Sequence, residues 1–181
     1  MIKQKLKFLL AVSGLFVLFS CSPRLSPFTQ QLYESNNWTE NDLKQIQFYL
    51  SDDVVLRREA SNGQTRIEGG EIKMVDGRRV EEIVIREKTP GILIFMPKEK
   101  RFAVSFETND ERFLVFGPNP KAGNRYVLLA SDWKKRGGTV TYEGKPWYTP
   151  SASAYAALMV DLKKARKIRV KSRTARGRKI D

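Results

Sequence analysis

Short segments with the alternating or continuous apolar pattern of β-strands, separated by turn signals, fill most of this sequence from residue 46 onward. Three of the turn signals, Asn62-Gly63, Asp76-Gly77 and Tyr142-Glu143-Gly144-Lys145, are typical of tight hairpins. About ten such segments follow one another at roughly ten-residue spacing, which is the pattern of antiparallel sandwiches and barrels. The sequence therefore predicts a mainly β fold, with a single antiparallel sandwich or barrel-like domain.

A short helical segment is expected before the strands. Ser26-Pro27 fits an N-cap followed by proline in the first helical position. A second helix start is marked by Thr39 with Asp42, a variant of the capping box, while Trp38 can pack on Leu43. Trp38 is accordingly interpreted as a structural residue.

Two later segments do not show the simple alternation of apolar and polar residues. The continuous apolar run 92–96 predicts a strand buried on both faces. Residues 151–167 are alanine-rich and fit either a helix or a strand. We favour a strand for 151–162, because the preceding hairpin signal brings the chain into a sheet.

Positive charge is concentrated at the C-terminal end. Residues 163–181 contain ten basic side chains and one acidic side chain, whereas residues 21–162 contain 20 basic and 19 acidic ones. As a strand, this segment would have one cationic face that attracts anionic lipid or an acidic protein surface. A solvated edge strand or a disordered end explains the same charges. The basic residues are Lys163, Lys164, Arg166, Lys167, Arg169, Lys171, Arg173, Arg176, Arg178 and Lys179.

Residue types that commonly carry catalysis are scarce. The sequence contains no histidine, and Cys21 is its only cysteine, which removes the commonest general base and the usual zinc ligands. We therefore expect no enzyme activity, no cofactor and no metal. The carboxylate pairs Asp52/Asp53, Glu81/Glu82 and Asp110/Glu111 are adjacent in sequence, so in a strand their members point to opposite faces. A polysaccharide hydrolase or lyase that uses carboxylates from different pairs is a remote alternative.

Aromatic residues near cations form a second candidate contact surface. Trp133 precedes Lys134-Lys135-Arg136, and Trp147-Tyr148 follows a lysine and a proline. Exposed rings beside cations bind sugars or protein surfaces. Packing of Trp147 and Tyr148 in the core or at its rim is the alternative.

The N-terminus has the three parts of a secretory signal. Lys3, Lys5 and Lys7 precede the apolar run 8–19, and a small residue precedes the cysteine. Leu18-Phe19-Ser20-Cys21 resembles the lipobox of bacterial lipoproteins, which implies that residues 1–20 are removed and that Cys21 carries lipid. An unpaired cysteine at this position in an exported protein agrees with this interpretation.

The lipobox resemblance also implies a location. Ser22 follows the cysteine in place of the aspartate that retains lipoproteins at the inner membrane, so we expect anchoring in the outer membrane facing the periplasm, with the cell surface as the alternative. Export makes nucleic acid an unexpected partner. The chain then divides into a signal peptide (1–20), a linker with a short helix (21–37), a β-rich domain (38–162) and a basic strand or tail (163–181).

A wider resemblance covers much of the chain. The lipobox, Gln47-Phe48-Tyr49-Leu50-Ser51 and the Lys-Ser-Arg-Thr-Ala-Arg-Gly-Arg-Lys sequence at 171–179 are similar to small uncharacterised lipoproteins of Bacteroidetes-type bacteria. This resemblance implies a location and no activity. Our hypothesis is a non-enzymatic binding or scaffold subunit of a cell-envelope complex, bound to an envelope protein or anionic lipid. A carrier that holds a lipid or glycan in a pocket of the sandwich or barrel is the alternative.

Overall fold

A computed structural model describes residues 24–60, 71–75 and 78–167 of the chain. The predicted mainly β fold is confirmed, because the strands of these residues form a seven-stranded and a five-stranded antiparallel sheet. The strands are β1 Leu25–Pro27, β2 Phe48–Leu50, β3 Val54–Glu59, β4 Glu71–Val75, β5 Arg78–Ile85, β6 Pro90–Lys98, β7 Arg101–Ser105, β8 Phe113–Asn119, β9 Arg125–Leu128, β10 Gly137–Tyr142, β11 Lys145–Pro150 and β12 Leu158–Asp161. The α-helices are α1 Gln30–Asn36, α2 Glu40–Leu43 and α3 Leu162–Lys167, and 3₁₀ turns cover Pro120–Ala122 and Ser151–Tyr155.

The larger sheet closes on itself. Its strand order is β1-β12-β2-β6-β7-β8-β9. The last strand returns to the first two through the bridges Thr29–Arg125 and Val127–Ala157. The closed sheet is barrel-like and leaves few unpaired strand edges.

Aromatic side chains fill the interior of this closed sheet. Phe28, Phe48, Phe102 and Tyr126 are fully buried. Their ring centroids lie 4.5–6.2 Å apart, mostly in edge-to-face or tilted geometry. Such ring pairs stabilise a core beyond simple burial. The interior that these residues line is therefore packed with protein side chains.

Strand β7, and not β6, is buried on both faces. In β6, Ile92 and Phe95 remain 46% and 37% exposed, so the prediction of a doubly buried strand over 92–96 is wrong. On the outer face of β7, Ala103 and Ser105 are buried. The reason is local: Phe95 on β6 and Phe113 on β8 meet edge to face at 5.1 Å across β7, where the small side chains lie.

The smaller sheet has the order β10-β11-β3-β5-β4. Val75 pairs with Arg78, which is the register of the two-residue hairpin predicted at Asp76-Gly77. The signal at Asn62-Gly63 lies outside the described residues, and the strands that flank it, β3 and β4, do not pair because β5 lies between them. The hairpin predicted at residues 142–145 joins β10 to β11.

The helix predicted to begin at Ser26-Pro27 begins later. These residues belong to β1, which pairs with β12, and the side chain of Thr29 caps α1 by accepting the Leu32 N–H. The capping box of Thr39 with Asp42 is confirmed at α2. Trp38 is buried and stacks on Phe28 with ring centroids 5.9 Å apart, which supports its structural interpretation.

Residues 151–167 contain three different elements. The strand favoured for 151–162 forms only over Leu158–Asp161, preceded by a 3₁₀ turn and followed by α3. Hydrogen bonds of polar side chains explain why the strand is limited to these residues. Ser153 is buried and donates to the Asp53 carbonyl while accepting the Val55 N–H, and Asp161 accepts backbone N–H groups at the start of α3.

Candidate functional site

The start of the described chain lies beside the start of the basic segment. In the β1–β12 pair, Leu25 lies opposite Asp161, and Ser26 lies opposite Val160. Asp161 is the residue immediately before α3. A short edge strand therefore places the first described residues next to the first cations of the C-terminal segment.

Helix α3 turns these cations outward. The Asp161 carboxylate accepts the N–H groups of Lys163 and Lys164 at 3.0 and 3.3 Å, which caps the helix. Ala165 is buried and Leu162 is half-buried, so this edge faces the body. The exposed side chains are Lys163, Lys164, Arg166 and Lys167.

The sequence leaves helix and strand open over 151–167, and the structure makes Leu162–Lys167 a helix. The Asp161 cap and the high helix propensity of alanine, lysine and arginine explain this outcome. The cationic face expected of a strand depends on residues 168–174, which lie outside the described residues. The remaining predicted cations lie outside the described residues: Arg169, Lys171, Arg173, Arg176, Arg178 and Lys179.

Other cations lie at the same end of the closed sheet. Because neighbouring strands are antiparallel, the β6–β7 and β8–β9 connections share the end at which β12 leads into α3. These connections expose Lys98, Arg101 and Lys121. The acidic Glu34 on α1 is paired with Lys100 at 2.8 Å, and this hydrogen bond lowers the pKa of Glu34. We call this surface, with α3, the basic end.

Two grooves flank α3. One has a volume of about 280 Å³ and is lined by residues of β1, α1 and Leu162. The other has a volume of about 260 Å³ and is lined by Gln45, Gln47, Tyr49 and Lys164, among others. Ligand pockets typically have volumes of about 300–1,000 Å³. Both grooves are smaller than that, so contact with an extended surface suits this end better than enclosure of a ligand.

The second predicted contact surface, of aromatic residues near cations, is present only in part. Lys134 and Gly137 exchange two backbone hydrogen bonds of 2.7 and 3.2 Å, which closes a tight turn with Lys135 and Arg136 at its tip. Trp133 is 36% exposed. Tyr148 is 43% exposed, and its hydroxyl donates to the Arg136 carbonyl at 2.7 Å. Trp133 and Tyr148 therefore both adjoin the cationic turn, but they pack on the neighbouring strand residues Gly138 and Gly137 and so lie on opposite faces of β10.

Trp147 is a correction to the predicted surface. Its side chain is fully buried, its Nε1 donates to the Tyr142 carbonyl at 3.1 Å, and the Arg58 guanidinium lies 4.6 Å from its ring centroid. Trp147 and Tyr148 are neighbours on β11 and point to opposite faces. Trp147 is a core residue and makes no surface contact.

One of the predicted carboxylate pairs, Glu81/Glu82, helps to hold the smaller sheet together, whereas Asp110 and Glu111 are exposed in the turn between β7 and β8. Glu81 and Glu82 are both buried and form ion pairs with Arg58 and Arg57, at 2.5 and 2.7 Å, on the directly opposite strand. As expected for a strand, the two carboxylates of this pair lie on opposite faces. Asp53 accepts the Glu87 N–H at 2.7 Å.

A second polar cluster was not predicted from the sequence. The buried Tyr142 hydroxyl donates to Glu107, and Arg112 forms ion pairs with Glu107 at 2.7 Å and with Glu143 at 2.6 Å. Burial, together with the hydrogen bond to Glu107, raises the pKa of Tyr142. No sequence signal links these residues, because the cluster joins the β7–β8 connection to the β10–β11 hairpin. The arginine occupies the space between the two carboxylates, which suits structural cross-linking better than hydrolysis.

Among the described residues, no group of three or more acidic, cysteine or histidine side chains has the arrangement of a metal site. No helix in the described ranges is long and apolar enough to span a membrane. No protein-family model, curated protein or solved structure matches the chain.

Proposed function

We propose that this protein is a non-enzymatic lipoprotein that serves as a binding or scaffold subunit of a cell-envelope complex, held at the outer membrane by lipid on Cys21 and by its basic end. The observation that carries the proposal is the pairing of Leu25 with Asp161. It connects the anchor expected from the lipobox to the cationic helix that the structure describes.

Covalent geometry limits how far the anchor lies from α3. Leu25 lies four positions after Cys21, and an extended chain spans at most about 3.5 Å per residue, or about 14 Å in total. Lipid on Cys21 would therefore bring Lys163, Lys164 and the other cations of the basic end close to the headgroups. Each Lys or Arg near an anionic membrane surface contributes about 1 kcal/mol to binding.

Lipid and basic residues have different roles in this arrangement. Several acyl chains provide durable attachment, since each buried methylene contributes about 0.8 kcal/mol. The cations of α3 then fix which face of the domain meets the membrane. The body of the closed sheet is left facing away from the bilayer, where it is accessible to a protein partner.

Purification from native membranes tests both parts of the proposal. We would insert an affinity tag between Asp110 and Glu111, in an exposed turn at the end of the closed sheet opposite α3. Mass spectrometry of the N-terminal peptide should show acyl chains on Cys21 as the first residue. The same preparation should contain at least one envelope protein in fixed stoichiometry.

Two results would contradict the proposal, each in a different part. An N-terminal peptide that begins before residue 21, or an unmodified Cys21 thiol, would remove the lipid anchor. A lipidated protein recovered alone from mild detergent would keep the anchor and remove the scaffold role. A wild-type preparation tagged instead at the C-terminus serves as the control for disturbance by the internal tag.

A further inference from the structure

The groove between residues 45–49 and α3 carries two opposite charges in its lining. Asp161 and Lys164 both lie along it, and neither side chain forms an ion pair with any residue that the structure describes. Asp161 Oδ1 accepts the N–H groups of Lys163 and Lys164, which fixes the carboxylate at the start of α3. The Lys164 side chain is exposed. We call this groove the Lys164 groove.

Apolar groups form much of the remaining wall of the Lys164 groove. Ile46, just before β2, and Ala165, on α3, are both buried and belong to the core. The half-buried Tyr49 adds an aromatic ring from β2. Gln47 is held in place by a hydrogen bond of 2.8 Å from its Nε2 to the Gly91 carbonyl. The groove is therefore a preformed apolar wall with one cation and one anion beside it.

The other groove beside α3 lacks this combination. It has a similar volume, but none of its lining residues is charged: they are Pro27, Thr29, Gln31, Leu32, Ser35 and Leu162. Both grooves lie at the basic end, so they would meet the same surroundings. The second groove therefore serves as an internal comparison for any ligand that recognises the two charges.

We propose that the Lys164 groove binds the headgroup of a zwitterionic phospholipid that carries a primary ammonium group, the phosphatidylethanolamine class. The Lys164 ammonium pairs with the phosphate, and the Asp161 carboxylate accepts hydrogen bonds from the lipid ammonium group. Ile46 and Tyr49 contact the first methylenes of an acyl chain. A volume of about 260 Å³ does not enclose a whole phospholipid, so the rest of the chains stays in the bilayer.

The carboxylate distinguishes this headgroup from the alternatives. An anionic headgroup such as that of phosphatidylglycerol pairs with Lys164 but brings no positive charge to Asp161. A trimethylated ammonium group, as in phosphatidylcholine, has no N–H to donate to the carboxylate. The inference rests on the proposed function, because the groove meets a lipid only if the basic end faces a bilayer.

Photocrosslinking in vesicles tests this inference. Full-length protein is solubilised from membranes in mild detergent and returned to phosphatidylcholine vesicles. These contain one of three lipids with identical chains and a diazirine near the ester end of one chain: phosphatidylethanolamine, phosphatidylcholine or phosphatidylglycerol. Trypsin releases residues 45–57, which include Tyr49, as one peptide, and residues 25–44, from the other groove, as another. Phosphatidylethanolamine should label peptide 45–57 about fivefold more than either other lipid does, per vesicle-bound protein.

Three variants show which side chains are responsible. Lys164→Gln should lower the labelling of peptide 45–57 by phosphatidylethanolamine about fivefold. Asp161→Asn should remove the preference for phosphatidylethanolamine over phosphatidylglycerol, while asparagine still caps α3. The matched control is Lys163→Gln, which removes the same charge from the neighbouring residue of α3, outside the lining of the groove, and should be labelled like the wild type. Thermal midpoints of all variants confirm folding, and Lys164→Gln changes only an exposed side chain.

Several results would overturn the inference. They are equal labelling by the three lipids, equal labelling of the two peptides, an equal loss in Lys163→Gln, and an unlabelled peptide 45–57 in the wild type. Stronger labelling by phosphatidylglycerol would also overturn it and would indicate general attraction of anionic lipid to the basic end.

The same preparation separates this inference from the proposed function. Mass spectrometry of the N-terminal peptide reports the lipid on Cys21. A lipidated protein without selective labelling of peptide 45–57 refutes the headgroup site alone. An unlipidated protein with selective labelling refutes the anchor alone.

Discussion

At the residue scale, the sequence indicates alternation but not which residue of a neighbouring pair faces the core. Trp147 and Tyr148 are adjacent on β11, so one of them had to point inward. The structure buries Trp147 against Arg58 and leaves Tyr148 exposed. That choice depends on which face of the smaller sheet is covered, and this is a tertiary property absent from the local pattern.

The ion pair between Arg58, which contacts the Trp147 ring, and Glu81 should contribute to the stability of the fold. Glu81 is buried and lies 2.5 Å from Arg58, so Glu81→Gln leaves a partly buried guanidinium without its counter-charge. We expect this change to lower the free energy of unfolding by about 2 kcal/mol, measured by urea denaturation. Glu87→Gln, in an exposed turn, is the control and should cost less than about 0.5 kcal/mol. Equal effects of the two substitutions would refute a structural role for the pair.

For Tyr126, we expect a substitution that does not destabilise the protein. Its hydroxyl is buried with no hydrogen-bond partner among the described residues, and burial raises the pKa of Tyr126 above its ordinary value of 10.0. Tyr126→Phe removes an unsatisfied buried group, so we expect it to leave the thermal midpoint at pH 7 unchanged or to raise it by a few degrees.

The pH dependence tests the same explanation. Because the folded-state pKa is the higher one, the unfolded chain loses the proton first, and the contribution of Tyr126 to stability is lost as the pH rises above about 10. Tyr142, whose pKa is also raised, contributes in the same direction. The thermal midpoint should therefore fall less steeply above pH 10 in Tyr126→Phe than in the wild type. A parallel decline in the two proteins would show that the hydroxyl does not titrate in this way.

At the element scale, the hairpins at 76–77 and 142–145 were predictable, whereas distant strand pairs were not. The dipeptide Glu143-Gly144 specifies its hairpin through backbone conformation, because both residues adopt positive φ angles, 52° and 68°. The order β3-β5-β4 instead depends on contacts between separated strands, which a turn signal does not contain. The sequence does not indicate that one face of β6 is exposed, for the same reason: the burial of that face depends on the strands that lie beside it.

Gly144 allows this local specification to be measured. A Cβ added at this position would meet no atom within 4 Å, so a substitution there changes only backbone strain. Gly144→Ala should therefore lower the free energy of unfolding by about 1 kcal/mol, in urea denaturation. Gly144→Asn should cost less, because asparagine adopts the left-handed conformation more readily. An alanine variant as stable as the asparagine variant would contradict this explanation.

At the scale of the whole molecule, the basic end is assembled from residues that are far apart in the sequence. The composition alone showed that basic residues are concentrated near the C-terminus. It contained no sign that β1 pairs with β12, and this pairing brings residues 25 and 161 together. The cations of α3 are therefore evident from the sequence, but their position beside the expected anchor depends on the fold.

This arrangement predicts that α3, and not net charge, determines membrane binding. Protein that begins at residue 22, and so lacks lipid, should bind vesicles containing anionic lipid and release them at high salt. Replacing Lys163, Lys164, Arg166 and Lys167 by glutamine should weaken binding at least about tenfold, since each cation near the surface contributes about 1 kcal/mol. Flotation with anionic and with zwitterionic vesicles measures the effect.

A second variant of equal charge decides whether position matters. Replacing Arg86, Lys88, Lys135 and Arg136 by glutamine removes the same four charges from the end opposite α3, where these side chains are exposed. If the basic end faces the bilayer, this variant should bind anionic vesicles like the parent protein. Equal losses in the two variants would mean that net charge alone drives binding, and the orientation argued from the β1–β12 pair would then be wrong.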